Sequence, residues 1–234
     1  MSVNTFDKRR QSMVDTQLVA RGIHDPAVLA AMRTVPREAF VPPAWADAAY
    51  DDTPLPIGDG QTISQPYIVA LMTEAMQLSP DDRVLEIGTG SGYSAAVLSC
   101  IAAHVYTVER LNALVLTARR RLGRLGFTNV SVHDGNGTLG WPEHAPYDRI
   151  VVTAGGPFVP PALQNQLATG GRLIMPVGED LDLQRLIRVT RRSETQFDQE
   201  DLGEVRFVPL IGVEGWSISP PPSSSSTGQP GLSR

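Results

Sequence analysis

The stretch that most restricts this chain is Val84-Leu85-Glu86-Ile87-Gly88-Thr89-Gly90-Ser91-Gly92-Tyr93. Residues with strand character lead into three glycines on alternate positions, and an apolar run of helical length follows. Glycine lacks Cβ, so such a turn leaves main chain bare, and the helix behind it aims its first free N–H groups at whatever occupies the turn. The stretch predicts a buried strand, a ligand-binding turn and a helix.

Downstream the same alternation continues. Strands are expected over 84–87, 105–108, 130–133, 150–153, 173–176, 186–190 and 205–210, and helices over 93–101, 111–125 and 161–167. In the helix at 111–125, Leu111, Leu114, Val115, Ala118, Leu122 and Leu125 recur at three- and four-residue steps before Gly126. Apolar strands alternating with helices predict an α/β fold with a mainly parallel sheet covered on both faces. The last two strands have no helix between them, which predicts an antiparallel pair at one edge.

Upstream, residues 11–35 read as two short helices, the second entered through Asp25-Pro26. Residues 44–60 read as loop. Gln61-Thr62-Ile63-Ser64-Gln65-Pro66 then leads into an amphipathic helix with Ile68, Val69, Met72 and Met76 on one side. Locally, Ser64 reads as that helix's N-cap, with Pro66 in the first turn. The chain thus divides into N-terminal helices with the serine segment (1–80), an α/β core (81–216) and a Ser/Pro-rich tail (217–234) expected to be disordered.

Bulk properties narrow the classes. A net charge of −5 gives no reason to expect nucleic acid or an anionic membrane as partner. No apolar run approaches the ~20 residues of a membrane span, and no secretory signal is evident, so a cytoplasmic monomer is expected. The single cysteine, Cys100, excludes an internal disulfide and a thiolate zinc cluster, and reads as a small buried hydrophobe. Arg119, Arg120, Arg121 and Arg124 read as a solvated helix face.

Ligands of open α/β sheets bind beyond the carboxyl ends of the strands. There the glycine turn meets Glu109, placed to accept hydrogen bonds from ribose hydroxyls or to sit at a helix N-terminus, and Asp134-Gly135-Asn136-Gly137, a turn able to meet an adenine edge. The spacing Gly88-x-Gly90-x-Gly92 differs from the G-x-G-x-x-G pattern that cradles pyrophosphate. Glu86, two residues before the first glycine, suits a cationic ligand better than a diphosphate. S-adenosylmethionine, with an ammonium and a sulfonium, fits those charges better than NAD.

Several segments together resemble the protein-L-isoaspartate (D-aspartate) O-methyltransferases. They are Arg37-Glu38-Ala39-Phe40-Val41-Pro42, Pro54-Leu55-Pro56-Ile57-Gly58, Gly60-Gln61-Thr62-Ile63-Ser64-Gln65-Pro66, the glycine stretch, Tyr106-Thr107-Val108-Glu109-Arg110 and Val205-Arg206-Phe207-Val208-Pro209-Leu210. The Thr-Ile-Ser segment is the specific part. The resemblance implies a Rossmann-like class I methyltransferase fold with a helical N-terminal addition. It implies methylation of the α-carboxylate of L-isoaspartyl residues, after which the ester closes to a succinimide that hydrolyses partly to normal aspartate.

By the same resemblance Ser64 is the active-site residue. Glu86, Gly88, Thr89, Gly90, Ser91, Gly92, Glu109 and Arg110 hold the cofactor, and Asn136 and Gly137 approach the adenine. Thr62, Ile63, Thr153 and Ala154 flank the peptide. Asn136 stands where the family usually has aspartate, so its amide oxygen is expected to accept from the adenine without charge assistance and to weaken binding by about 1 kcal/mol. Ala154-Gly155-Gly156 stands where small residues such as alanines are common in the family and reads as tolerated variation.

Other readings stay open at this stage. A relative methylating ordinary aspartate in a biosynthetic peptide would share these motifs. A non-catalytic adenosyl-binding protein and an NAD-dependent oxidoreductase share the fold. A nucleic-acid methyltransferase would want a polar-Pro-Pro-aromatic segment where this chain has Thr153-Ala154-Gly155-Gly156-Pro157.

Overall fold

The computed structural model describes residues 5–180 and 183–217. The expected disorder of the tail therefore falls almost wholly outside the described residues. Among those residues no helix is long and apolar enough to cross a membrane.

The chain opens with α1 (Thr5–Met13), which runs on through a π turn and a 3-10 turn to Gly22, in left-handed conformation at φ 94°. This helix begins earlier than the apolar pattern at 14–21 suggests, because residues 5–12 are polar and carry no period. α2 (Pro26–Thr34) starts as expected: Asp25 Oδ1 accepts from the N–H groups of Ala27 and Val28 at 2.8 and 3.2 Å.

The stretch read as loop contains a hairpin, β1 (Leu55–Gly58) and β2 (Gln61–Ile63), pairing Leu55 with Ile63 and Pro56 with Thr62. Its turn, Gly58-Asp59-Gly60, has positive φ at all three residues. Four- and three-residue strands carrying proline and glycine are too short to print a period of two, which is why the sequence hides them. α3 (Pro66–Met76) follows.

The core is a seven-stranded sheet. Its first members are β3 (Arg83–Ile87), β4 (His104–Glu109), β5 (Val130–Asp134) and β6 (Tyr147–Val152). The edge is built from β7 (Leu167–Val177), β8 (Gln184–Arg191) and β9 (Phe197–Val205), and the order is β5-β4-β3-β6-β7-β8-β9. β3 to β7 run parallel, while β7–β8 and β8–β9 pair antiparallel. The covering helices are α4 (Tyr93–Ser99), α5 (Asn112–Leu125) and α6 (Pro161–Gln166).

The last strand corrects the expectation over 205–210. It lies at Phe197–Val205 in the polar sequence Phe-Asp-Gln-Glu-Asp-Leu-Gly-Glu-Val, where no apolar alternation marks it. Cross-strand charge pairs take the place of apolar contacts: Arg185 reaches Asp201 at 2.7 Å and Glu204 at 3.1 Å, Arg192 reaches Asp198 at 2.6 Å, and Arg188 pairs with Glu200. Charges of this kind also blunt an exposed sheet edge. Residues 206–210 instead leave the sheet, and Pro209 bridges to Gly155 beyond the end of β6.

The strand order reverses between β3 and β6, so the ends of these neighbouring strands frame a crevice at Gly88 and Thr153. The N-terminal segment reaches that crevice through a shared core. Met13, Leu18, Met32 and Phe40 pack in one buried cluster with Tyr93, Val97, Ala118 and Leu122 of α4 and α5.

Candidate functional site

Gly88, Gly90 and Gly92 all have positive φ, at 96°, 52° and 88°. Gly88 N–H donates to Val108 C=O at 2.8 Å, which ties the turn to the end of β4. A side chain at Gly88 would drive into the Thr153 hydroxyl, which donates to Gly88 C=O at 2.8 Å. Gly92 serves differently. It is the N-cap of α4 and faces Leu122 and Ala118 of α5, so its missing Cβ lets helices pack and it does not line the site.

Glu86 is fully buried one layer behind the turn. It lies opposite Thr107 in the β3–β4 register, and the Thr107 hydroxyl donates to its Oε2 at 2.6 Å. A hydroxyl has one proton, so the 2.6 Å contact between Thr89 and Thr107 must be donated by Thr89. The ladder Thr89 to Thr107 to Glu86 thus links the glycine turn to a buried acid. Among the described residues, Oε1 of Glu86 has no hydrogen-bond partner. Burial pushes this carboxyl up to about 7, against the pull of the Thr107 hydroxyl.

Glu109, buried at the end of β4, accepts from Gly90 N–H at Oε2 and from Leu111 N–H at Oε1, both at 3.0 Å. It braces the glycine turn against the start of α5. Each oxygen retains capacity for a further donor from the adjoining cavity, so the place at the helix start is compatible with the expected acceptor role.

Two contiguous cavities of about 520 and 540 Å³ share Thr62, Gly88, Gly90 and Thr153 as common wall. The first continues over Ile63, Ser64, Thr89, Ser91 and Tyr93. The second continues over Glu109, Arg110, Gly137 and Ala154 and is closed by Val208, Pro209, Leu210 and Ile211. A third opening of about 800 Å³ leads from Thr62, Ser64 and Thr153 outward past Ile68 and Phe207. The structure therefore brings together every expected site residue except Glu86, Gly92 and Asn136, which lie behind or beside the walls.

Ser64 does not cap α3. The N-cap is Gln65, without a side-chain cap bond, and Tyr67 N–H turns to Asp52 Oδ1 at 3.4 Å. Among the described residues the Ser64 hydroxyl makes no hydrogen bond, although its carbonyl accepts from Arg37 Nη2 at 2.7 Å. Locally the serine looks like a cap; in the fold its hydroxyl is left for the cavity.

Asn136 departs from expectation in the opposite direction. Its Oδ1 accepts from Thr138 N–H at 3.1 Å and from the Thr138 hydroxyl at 2.9 Å, capping the short 3-10 turn at Gly137–Leu139. Both lone pairs of the oxygen expected to meet an adenine are engaged. Two further readings also change. Cys100 lies exposed at the end of α4. Arg121 is half-buried over Phe40 and donates to Ser91 C=O at 2.7 Å, whereas Arg119, Arg120 and Arg124 are exposed.

The segment Val208-Pro209-Leu210-Ile211 is the main part of the site that sequence reasoning missed, because its apolar run reads as one more strand. A proline within the run was the available warning.

The model of the family described as protein-L-isoaspartate(D-aspartate) O-methyltransferase matches residues 8–215. The chain is 63% identical over 215 residues to protein-L-isoaspartate O-methyltransferase 2 of Pelobacter propionicus, covering 92% of this chain and 96% of that one. It is 60% identical over 219 residues to protein-L-isoaspartate O-methyltransferase 1 of Rhodopseudomonas palustris, covering 93% and 89%. Among solved structures, a protein-L-isoaspartate O-methyltransferase aligns at TM-score 0.78 and 33% identity, over 88% of this chain and 67% of the other. A Plasmodium falciparum structure described as such an enzyme in complex with S-adenosyl-L-homocysteine aligns at TM-score 0.74 and 27% identity, over 86% and 98%.

Proposed function

The chain belongs to the protein-L-isoaspartate(D-aspartate) O-methyltransferase family, and we propose on that premise that it methylates the α-carboxylate of L-isoaspartyl residues in damaged proteins and peptides, with S-adenosylmethionine as donor. The observation that carries the reading is the unbonded Ser64 hydroxyl, in a wall that also contains Gly88 and Gly90.

The crevice suits that donor. Gly88 and Gly90 offer bare backbone, Glu109 offers acceptor capacity, and the partnerless Oε1 of buried Glu86 suits a cation close to the turn. Ile87 fills the place a side chain at Gly137 would need, so this part of the wall is backbone as well. When bound, S-adenosylmethionine supplies a methyl group on a positively charged sulfur, a strong electrophile.

The chain's own residues then have little chemistry to perform. An isoaspartyl carboxylate is already ionised at neutral pH, so no general base is required. Holding the acceptor oxygen in line is most of the task. Ser64 is assigned the role of donating its hydroxyl proton in a hydrogen bond to one carboxylate oxygen, leaving the other to react, without becoming a covalent nucleophile. Thr62, Ile63, Thr153 and Ala154 line the approach of the peptide.

The product ester closes when the following backbone nitrogen attacks its carbonyl and expels methanol, which gives the succinimide without further help from the protein. Methyl incorporation into an isoaspartyl peptide and its aspartyl twin tests the proposal. Incorporation confined to the isoaspartyl peptide is expected. Incorporation confined to the aspartyl twin would make the protein an installer of aspartimide and overturn the repair reading, and none into either would leave only adenosyl binding.

A further inference from the structure

Arg37 is fully buried, and among the described residues no carboxylate pairs with it. Removing a guanidinium from water without a counter-charge is costly, so its bonds need to be good ones. Nε donates to Ala49 C=O and Nη2 to Ser64 C=O, both at 2.7 Å, and the guanidinium lies 4.8 Å from the centre of the Tyr93 ring. Nη1 is buried, with no hydrogen-bond partner among the described residues.

Among the described residues no backbone N–H donates to the Ser64 carbonyl in place of Arg37. α3 takes Gln65 C=O as its first acceptor, from Ile68 and Val69 N–H at 3.1 and 3.3 Å, and Pro66 has no N–H to offer. The residue between β2 and α3 is therefore oriented from behind by one charge-assisted bond. Tyr93, against which the guanidinium packs, lines the same cavity as Ser64.

We propose that Arg37 is a positioning residue for methyl transfer: its forked guanidinium holds the Ser64 main chain against Ala49, so that the serine hydroxyl is presented to the substrate carboxylate. This rests on the role given to Ser64 above. A lysine keeps the charge but, as a single point donor, cannot reproduce the fork that joins two carbonyls.

The test is a double-mutant cycle on the full chain, reading kcat/KM for an isoaspartyl peptide, cofactor affinity by calorimetry, and Tm. Arg37→Lys is expected to lower kcat/KM about ten-fold, with cofactor affinity within ~2-fold of the parent. In a Ser64→Ala background the same substitution is expected to change kcat/KM by less than ~2-fold, because it acts through the hydroxyl already removed. An equal loss in both backgrounds, or a parallel loss of cofactor binding, would overturn the proposal.

Arg37→Gln, which keeps a single donor group and loses the charge, enters the same cycle should the lysine variant not fold. Failure of both to fold would assign Arg37 to the scaffold and overturn the proposal. If Ser64→Ala alone leaves turnover unchanged, it is the Ser64 role that fails, and the two failures remain distinct.

Discussion

Glu86 is where stability and function pull apart. Its carboxyl is held at about 7 against an ordinary value of 4.5, chiefly by burial. A raised folded-state value means that the fold favours the neutral form. The corresponding stability is fully present below pH 4.5 and is lost as pH rises through 7, on the order of 3 kcal/mol in all. Glu86→Gln should therefore raise Tm at pH 8 and leave it nearly unchanged at pH 4, as differential scanning calorimetry would report. The same variant should weaken cofactor binding at pH 8, since a cationic ligand favours the ionised acid. A Tm gain of equal size at both pH values would mean that the charge of Glu86 is not what burial disfavours. At this scale the sequence was legible in residue type and misleading in local role. Glu86 and Glu109 sit at strand ends as the motifs imply, yet Ser64 looked like a cap and is none, while Asn136 looked like a ligand contact and is a cap. Those roles depend on Asp52 and Thr138, which motif reading does not weigh.

At the scale of elements, residues 206–216 form a strap across the second cavity, and small polar contacts hold it down. Trp216 Nε1 donates to Gly155 C=O at 3.0 Å, Glu214 N–H donates to the Thr138 hydroxyl at 3.2 Å, and Glu214 Oε2 accepts from Ala162 N–H at 3.0 Å, at the start of α6. The Thr138 hydroxyl donates in turn to Asn136 Oδ1, so Asn136 helps to fasten the strap. Thr138→Val keeps the shape and deletes both bonds, at an expected cost of about 1 kcal/mol in chemical denaturation. Because Pro209, Leu210 and Ile211 wall the cavity, cofactor affinity should fall while turnover at saturating cofactor is preserved. Unchanged affinity would separate the strap from the cavity. Strands β3 to β8 and the helices of the alternating region were legible because burial on two faces imposes apolar runs. β9 and the β1–β2 hairpin were not: ion pairs stabilise the former, and three successive residues of positive φ bend the latter.

At the scale of the whole molecule, the walls of the proposed site come from two regions more than twenty residues apart in sequence. The α/β core supplies the glycine turn at the reversal of strand order. The N-terminal addition supplies Thr62 and Ile63 on β2 and Ser64 in the link to α3, with Arg37 behind the serine. Ile57 of the hairpin lies against the space above Gly90, so the addition closes over the turn instead of standing beside it. The resemblance in the Thr-Ile-Ser segment implies that division of labour; the Arg37 bond to Ser64 and the shared core of Met13, Phe40, Tyr93 and Leu122 became visible only in three dimensions. If the turn holds the donor and the serine segment directs the methyl group, the two can be separated by one substitution. Parallel calorimetry and steady-state turnover on Ser64→Ala make the most direct test. Cofactor affinity should persist within ~2-fold, while kcat/KM for an isoaspartyl peptide falls on the order of 10- to 100-fold, the worth of a hydrogen bond to a charged group. Loss of cofactor affinity in step with turnover would contradict the account.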